Sequence, residues 1–194
     1  MLFIAYIFIL LFILIDLFLL IKFAEYIYCS HFVRQPPLVQ SIAPLRQAAT
    51  DYILANYKDA QNICEVGSGF GGLARQVARK TRARVYALEN MPFSAFVSKV
   101  LDIITMSRNR TIWCDAFKYL DETDVKFDIA IAYLGPDLIN KVYDYRGKIR
   151  ILISLDFELK DHAPTATVDV GYGYTLYNRK KYPHKLFIYD MAGK

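Results

Sequence analysis

From Met1 to Ile21 the chain reads MLFIAYIFILLFILIDLFLLI, an apolar run whose only charge is Asp16. At about 1.5 Å per residue a helix of some 20 apolar residues crosses the roughly 30 Å hydrocarbon core of a bilayer, so the run predicts a transmembrane helix. The pattern then breaks in EYIYCSHFVRQPPLVQSIAP, where Pro36 and Pro37 prevent a continuous helix and mark a connector. An i, i+3, i+4 rhythm starts at Leu45 and runs through Ala48, Ala49, Tyr52 and Ile53, with Pro44 suited to its first turn. The expected division is an anchor over 1–21, a juxtamembrane connector over 22–43 and a globular domain over 44–194.

Within that domain short apolar runs alternate with helical patterns. NICEV, ARVYALE, RTIWC, FDIAIAYL and KIRILISLDF read as five strands, and GLARQVARK, PFSAFVSKVLDIIT and PDLINKVY as helices between them. Strands joined in this way are parallel, with the helices as crossovers. The close of the chain differs: TATVDVGYGYTLYN and HKLFIYD are β-rich runs around RKKYP, and they predict a hairpin. The fold class is therefore α/β, with a parallel sheet extended by an antiparallel pair.

Hydrophobic residues make up 55% of the 194, much of the excess in the first stretch. The remaining length suits one α/β domain of ordinary size and leaves little room for a separate substrate domain. A cleaved signal peptide is disfavoured, because the run has no basic leader and no small-residue cleavage site. Tyr28, directly before Cys29, is too bulky for lipoprotein processing. Every Lys and Arg follows the apolar run, beginning with Lys22 and Arg34, and the positive-inside bias places the domain in the cytoplasm or an equivalent compartment. Cys29, Cys64 and Cys114 lack a metal-site spacing and read as reduced thiols. His31, His162 and His184 show no pairing for a metal or a nucleophile and are expected on loops or near the membrane surface; no metal is expected. A net charge of +5 and a pI near 9.0 fit anionic headgroups beside the tether better than nucleic acid, which is not expected as a partner.

The densest chemical signal is CEVGSGFGGLARQVARK, from Cys64 to Lys80. Gly67, Gly69 and Gly72 satisfy the G-x-G-x-x-G dinucleotide fingerprint, whereas Glu65, Gly67, Gly69 and Gly71 satisfy an E/D-x-G-x-G-x-G loop. Either pattern lets the backbone turn sharply after a strand and approach a ligand closely. The neighbours favour the second. A carboxylate at Glu65 suits a cationic amino-acid moiety and repels a pyrophosphate, and the missing substrate domain and the closing hairpin also disfavour a nicotinamide-dependent oxidoreductase. Glu89, in VYALEN, is placed to take both hydroxyls of a ribose. Asp115, in WCDAF, can accept the exocyclic amine of adenine, with Ala116 and Phe117 offering backbone or an apolar wall. Any one of these acids is equally well a helix N-cap. Three acids after three successive strands, behind a glycine loop, form a ligand track.

On these residues the chain resembles class I S-adenosylmethionine-dependent methyltransferases. More narrowly, the N-terminal span, the proline-bearing connector, EVGSGFG and the closing FIYD resemble the small membrane-anchored lysine methyltransferases whose mitochondrial members modify the adenine nucleotide translocase and the ATP synthase c-subunit. The resemblance implies a Rossmann-like sheet of seven strands and S-adenosyl-L-methionine as cofactor. It places the cofactor on Glu65, Gly67, Ser68, Gly69, Gly71, Glu89, Asn90, Asp115 and Ala116. It also places the methyl acceptor beside the end of the fourth strand, at AYLGPD. There Tyr133 is the candidate pocket wall or hydrogen-bond acceptor, with ordinary packing as its alternative. Asp137 is the candidate attractor for an incoming ammonium, with a first-turn helix acid as its alternative. The implied partners are the bilayer and an integral membrane protein bearing the acceptor lysine; a lipid or quinone acceptor is the rival. Phe70 stands where the family loop commonly carries an acid, and PPLVQSIAP only loosely matches the family's entry segment. These departures support a third reading, an inactive fold used for membrane-complex assembly.

Overall fold

The computed structural model of the chain describes residues 2–28, 41–174 and 181–192. It divides into two compact units, Met1–Val39 and Gln40–Lys194. In the first, helix α1 runs over Leu2–Tyr28, and its stretch Tyr6–Ala24 is long and apolar enough to cross a membrane, with none of it buried within the protein. The helix thus continues past Ile21 to Tyr28, through the first residues assigned to the connector. The core of the connector, with Cys29, His31, Pro36 and Pro37, lies outside the described residues.

The second unit follows the order α2 (Ala43–Asn56), β1 (Asn62–Val66), α3 (Gly72–Lys80), β2 (Arg84–Glu89), α4 (Pro92–Ile104), β3 (Arg110–Trp113), α5 (Ala116–Glu122), β4 (Phe127–Ala132), α6 (Pro136–Tyr143), β5 (Ile149–Leu155), β6 (Ala166–Tyr174) and β7 (Lys181–Asp190). The seven strands form one sheet ordered β3-β2-β1-β4-β5-β7-β6. The first five are parallel and β7 runs antiparallel between β5 and β6. This is the α/β sheet with a closing hairpin that the strand pattern and the resemblance predict. A bulge between Asp169 and Gly171 shifts the β6–β7 register.

Central strands buried on both faces explain the continuous apolar runs. Ile63, Val85, Ala87, Ile129, Ile131, Ile151 and Ile153 meet Leu45, Ala49 and Ile53 of α2 and Leu73, Ala74 and Val77 of α3. On the other face Cys64, Val66, Leu88, Ala130 and Leu152 meet Phe117 and Leu120 of α5 and Ile139 and Val142 of α6. By the two-residue period of a strand, Glu65 lies on the face of Ile63 and Glu89 on that of Ala87, so both carboxylates emerge on the α3 side of the sheet. The switch of direction in strand order falls between β1 and β4, and ligands of open α/β sheets bind outside the carboxyl ends of the strands at that point.

Helix α5, with seven residues and about two turns, is not predicted by the sequence pattern. His184, expected on a loop, instead lies in β7, buried, with Nδ1 2.8 Å from the Asp156 carboxylate. Pairing with the acid that follows β5 offsets the cost of burying a polar ring. His162 stacks on Tyr143 with ring centroids 3.8 Å apart.

Candidate functional site

The glycine loop between β1 and α3 takes its shape from three left-handed residues: Gly67 (φ 72°), Gly69 (φ 57°) and Gly71 (φ 69°). This i, i+2, i+4 spacing is the G-x-G-x-G pattern. A Cβ on Gly71 would stand 2.3 Å from Ser98 Oγ, and one on Gly67 would stand 2.9 Å from Leu134 Cδ2. Gly72, the third glycine of the dinucleotide fingerprint, is an ordinary helical residue whose Cβ would meet nothing nearer than the Arg46 side chain at 3.8 Å. The loop therefore needs the glycines of the E/D-x-G-x-G-x-G reading and does not need the last glycine of the other.

Hydrogen bonds fix the loop to β2. The N–H groups of Gly67 and Ser68 both donate to the Leu88 carbonyl at 3.0 Å, and the Gly69 N–H donates to Glu89 Oε2 at 2.5 Å. Glu89 Oε1 accepts the Met91 N–H at 2.8 Å. The Glu89 carboxylate is thus held rigidly at the end of β2, facing the glycine loop. Asn90, next in the chain, presents its carbonyl to the indole N–H of Trp113 at 3.1 Å, which ties the rim after β2 to the end of β3.

Glu65 ends β1 under the start of α3 and accepts the Ala74 N–H at 2.9 Å. Burial pushes its pKa up to about 8, against the opposing pull of that N–H; Glu89 adds to the rise, while Arg75 and Arg46 oppose it. A buried carboxyl at such a pKa is a group prepared to meet a cation. Asp115 realises its capping alternative: Oδ1 accepts the N–H of Phe117 at 2.8 Å and of Lys118 at 3.2 Å, which starts α5 at Ala116. Both bonds use one oxygen, so Oδ2 is left for a ligand amine. Ser68 Oγ is buried with no hydrogen-bond partner among the described residues. An orphaned hydroxyl inside a left-handed glycine cradle is the feature a polar ligand would satisfy.

The acceptor-side candidates separate. Tyr133 follows β4, half-buried, with its ring tilted against Phe157 at 5.7 Å. Asp137 is exposed in the first turn of α6, where an acid meets the positive end of the helix dipole, and it lines a shallow cavity of about 450 Å³ with Asn140, Lys141, Lys160 and His162. Leu134, seated over Gly67, joins the loop after β4 to the loop after β1.

Three contributors were not singled out from sequence. Leu134 is one. Arg75 is another: it is buried, donates to the Phe70 carbonyl and pairs with Asp102 of α4 at 3.0 Å, bracing the loop from behind. Its trace in the sequence is the alternation of apolar and basic residues in GLARQVARK. Asp102 is the third, and it also accepts from Thr111 at 2.6 Å and Asn109 at 3.0 Å. At Phe70 the backbone carbonyl does the bracing, so this contact is indifferent to the missing acid side chain. Burial pushes the thiol pKa of Cys64 upward and that of Cys114 up to about 11, so neither is a thiolate near neutral pH.

No protein-family model matches the chain, and no curated protein sequence matches it. Solved structures do. An RNA methyltransferase from Salinibacter ruber, in complex with S-adenosyl-L-homocysteine, superposes with a TM-score of 0.61 at 19% identity, covering 80% of this chain and 95% of its own. Precorrin 8w decarboxylase from Methanobacterium thermoautotrophicum gives 0.58 at 15%, covering 78% and 92%. Precorrin-6y C5,15-methyltransferase from Geobacter metallireducens gives 0.54 at 11%, covering 74% and 85%. The globular unit has the fold of the class I S-adenosylmethionine-dependent methyltransferases. One of the three neighbours is named for a decarboxylation, and a shared fold does not by itself fix a reaction.

Proposed function

We propose that the chain is a membrane-anchored methyltransferase that binds S-adenosyl-L-methionine at the carboxyl ends of β1, β2 and β3 and methylates a lysine of an integral membrane protein. The observation that carries the cofactor reading is the convergence of Glu65, the left-handed Gly67, Gly69 and Gly71, and Glu89 hydrogen-bonded to Gly69, at the strand-order switch of this sheet. The orphaned Ser68 hydroxyl supports a polar ligand in the cradle. The bound cofactor would supply an already activated methyl group on sulfur, leaving the protein to align acceptor and donor in a dry site.

Glu65 would receive the ammonium of the amino-acid moiety, Glu89 the ribose hydroxyls, and Asp115 with Ala116 the adenine. On the acceptor side a lysine has to arrive neutral, and an apolar, aromatic surrounding lowers its pKa. Tyr133 and Phe157, packed together after β4 and β5, offer such a wall. Asp137, exposed at the start of α6, is suited to attract the charged amine before it enters. The apolar helix α1 supports a single-pass anchor, and the basic residues that follow it support a domain on the cytoplasmic or matrix-equivalent side.

A tether raises the effective concentration of acceptors near the bilayer over distant soluble ones. Full-length protein added with methyl-labelled cofactor to membranes from cells lacking it should label an integral protein, and hydrolysis should release methyl-lysine. Label confined to extracted lipid would replace the lysine reading with the lipid one, and label confined to RNA would overturn the membrane-substrate reading. No label in any fraction, from protein that binds the cofactor, would favour the inactive assembly factor.

A further inference from the structure

We infer that the outer edge of the sheet, formed by α4, the turn after it and β3, is a membrane-contact face that seats in the headgroup layer of an anionic bilayer; this rests on the anchored reading above. Apart from Tyr172, every large apolar side chain exposed in the described part of the globular unit lies here: Phe96, Val100, Ile103, Ile104, Met106 and Trp113. Phe96, Val100, Ile103 and Ile104 fall at helical spacing along the outward side of α4, whose inward side is held by the buried Ser94, Ala95 and Ser98. A soluble protein gains nothing from leaving such a stripe in water, and contiguous exposed apolar surface marks an interaction site.

The charges around the stripe select the occupant. Lys99 and Arg110 are exposed among the apolar residues, whereas Arg108 turns its guanidinium to the Ala78 and Thr81 carbonyls at 3.2 and 3.0 Å. The single acid between Pro92 and Trp113 is Asp102, which is turned inward and paired with Arg75. An apolar ridge carrying Lys99 and Arg110, with its own acid turned inward, matches acyl chains overlaid by anionic headgroups, the Lys and Arg stems lying along the apolar surface and their charges in the phosphate layer. Trp113 adds an amphipathic ring of the kind that favours the interface.

Met106 carries the strongest signal. It sits beyond the end of α4 in the left-handed region, at φ 46°, where glycine is the usual choice, and it is 89% exposed. An unbranched thioether held at a strained tip and offered to solvent makes sense as an insertion point. The face reaches the rim of the candidate site, because the Trp113 indole is bonded to the Asn90 carbonyl. Seating it would bring the carboxyl end of β2 close to the headgroup plane, where a membrane-bound acceptor is found.

Trp113 is the only tryptophan in the chain, so its fluorescence reports this face without a label. Full-length protein is reconstituted into phosphatidylcholine vesicles containing phosphatidylserine, with or without lipids brominated at shallow acyl positions, and titrated with aqueous iodide. Flotation of the protein with the vesicles checks the anchor separately: failure to float overturns the anchored reading itself. For protein that floats, the expected result is that brominated lipid quenches Trp113 by about twofold, as for an indole at interfacial depth, and that iodide does not reach it. Ile103→Glu with Met106→Glu, two exposed positions outside the candidate cofactor site, should abolish the lipid quenching and restore quenching by iodide. Quenching by iodide alone in the unmodified protein would overturn the inference. So would protection from both quenchers, which would mean that a second copy or another segment of this chain covers the face. Lipid quenching unchanged by the double substitution would overturn it as well.

Discussion

Gly71→Ala should unfold the glycine loop while Gly72→Ala leaves it intact. A Cβ at residue 71 adopts a left-handed conformation, at a cost of roughly 1–2 kcal/mol for an L-residue. It also strikes Ser98 Oγ at 2.3 Å and the Arg75 guanidinium at 2.9 Å. Neither neighbour gives way cheaply: Ser98 is fully buried and bonded to Thr111 at 2.9 Å, and Arg75 is buried and pinned to Asp102. The sum is about 3 kcal/mol or more, which for a domain of this size lowers Tm by about 6–12 °C. Cofactor affinity should fall with it. At residue 72 a Cβ meets only ordinary van der Waals contact and favours the first turn of α3 by up to about 1 kcal/mol. Thermal unfolding of the two variants reads the difference directly. Tolerance at 71 with damage at 72 is the pattern of a dinucleotide fingerprint and would contradict the loop geometry.

Binding of S-adenosyl-L-homocysteine at pH 7 should release a proton from Glu65. Before binding, the carboxyl has a pKa raised to about 8, so at neutral pH it holds its proton for most of the time. A bound ammonium favours the ionised form and pulls the pKa down, releasing up to about 0.9 proton per site. Apparent affinity therefore rises as pH approaches 8, by at most about tenfold per pH unit, and falls again where the ligand's own ammonium is lost. Calorimetry in buffers of different ionisation enthalpy counts the protons. The same shift bears on folding with the opposite sense. Because the folded-state pKa lies above the ordinary value of 4.5, the folded state retains a proton that the unfolded chain releases. This contribution to stability is complete below pH 4.5 and is lost as pH rises through 8. Glu65→Gln can keep an acceptor for the Ala74 N–H and removes the titration. It should end the proton release, flatten the stability profile over that window, and weaken binding by about 10- to 100-fold, the range for a hydrogen bond to a charged group. Proton release that persists in this variant would assign the titration to another group.

Much of the sheet was legible because its parallel strands are buried on both faces and stand out as short apolar runs between amphipathic helices. The boundaries of α3 and α6 follow from GLARQVARK and from PDLINKVY with its leading proline. Helix α5 was not legible: with seven residues and only Phe117 and Leu120 buried, it has too little periodicity to declare itself, and its start is set by the Asp115 cap. His184 was misplaced because a single histidine between a proline and a lysine gives no sign that an acid after β5 will reach it. Glu65 already favoured one of the two glycine patterns in the sequence; the φ angles and Ser98, which approaches from α4, give the reason that Gly71 and not Gly72 is required. The brace of Arg75 and Asp102 joins residues on different helices, and spacing along the chain does not reveal such pairs. Tyr133 and Asp137 were legible only as candidates, because a tyrosine after a strand and an acid in a helix's first turn each have an ordinary structural role, and the structure gives Tyr133 a ring partner in Phe157 and Asp137 the start of α6.

The central claim, that this site is made for a sulfur-linked adenosyl amino acid, is tested most directly by calorimetric titration of the full-length protein in detergent micelles with S-adenosyl-L-homocysteine and, separately, with NAD. The geometry of Glu65, Glu89 and the three left-handed glycines predicts saturable binding of S-adenosyl-L-homocysteine at one site per chain and no binding of NAD. Saturable binding of NAD without S-adenosyl-L-homocysteine, or binding of neither, would contradict it.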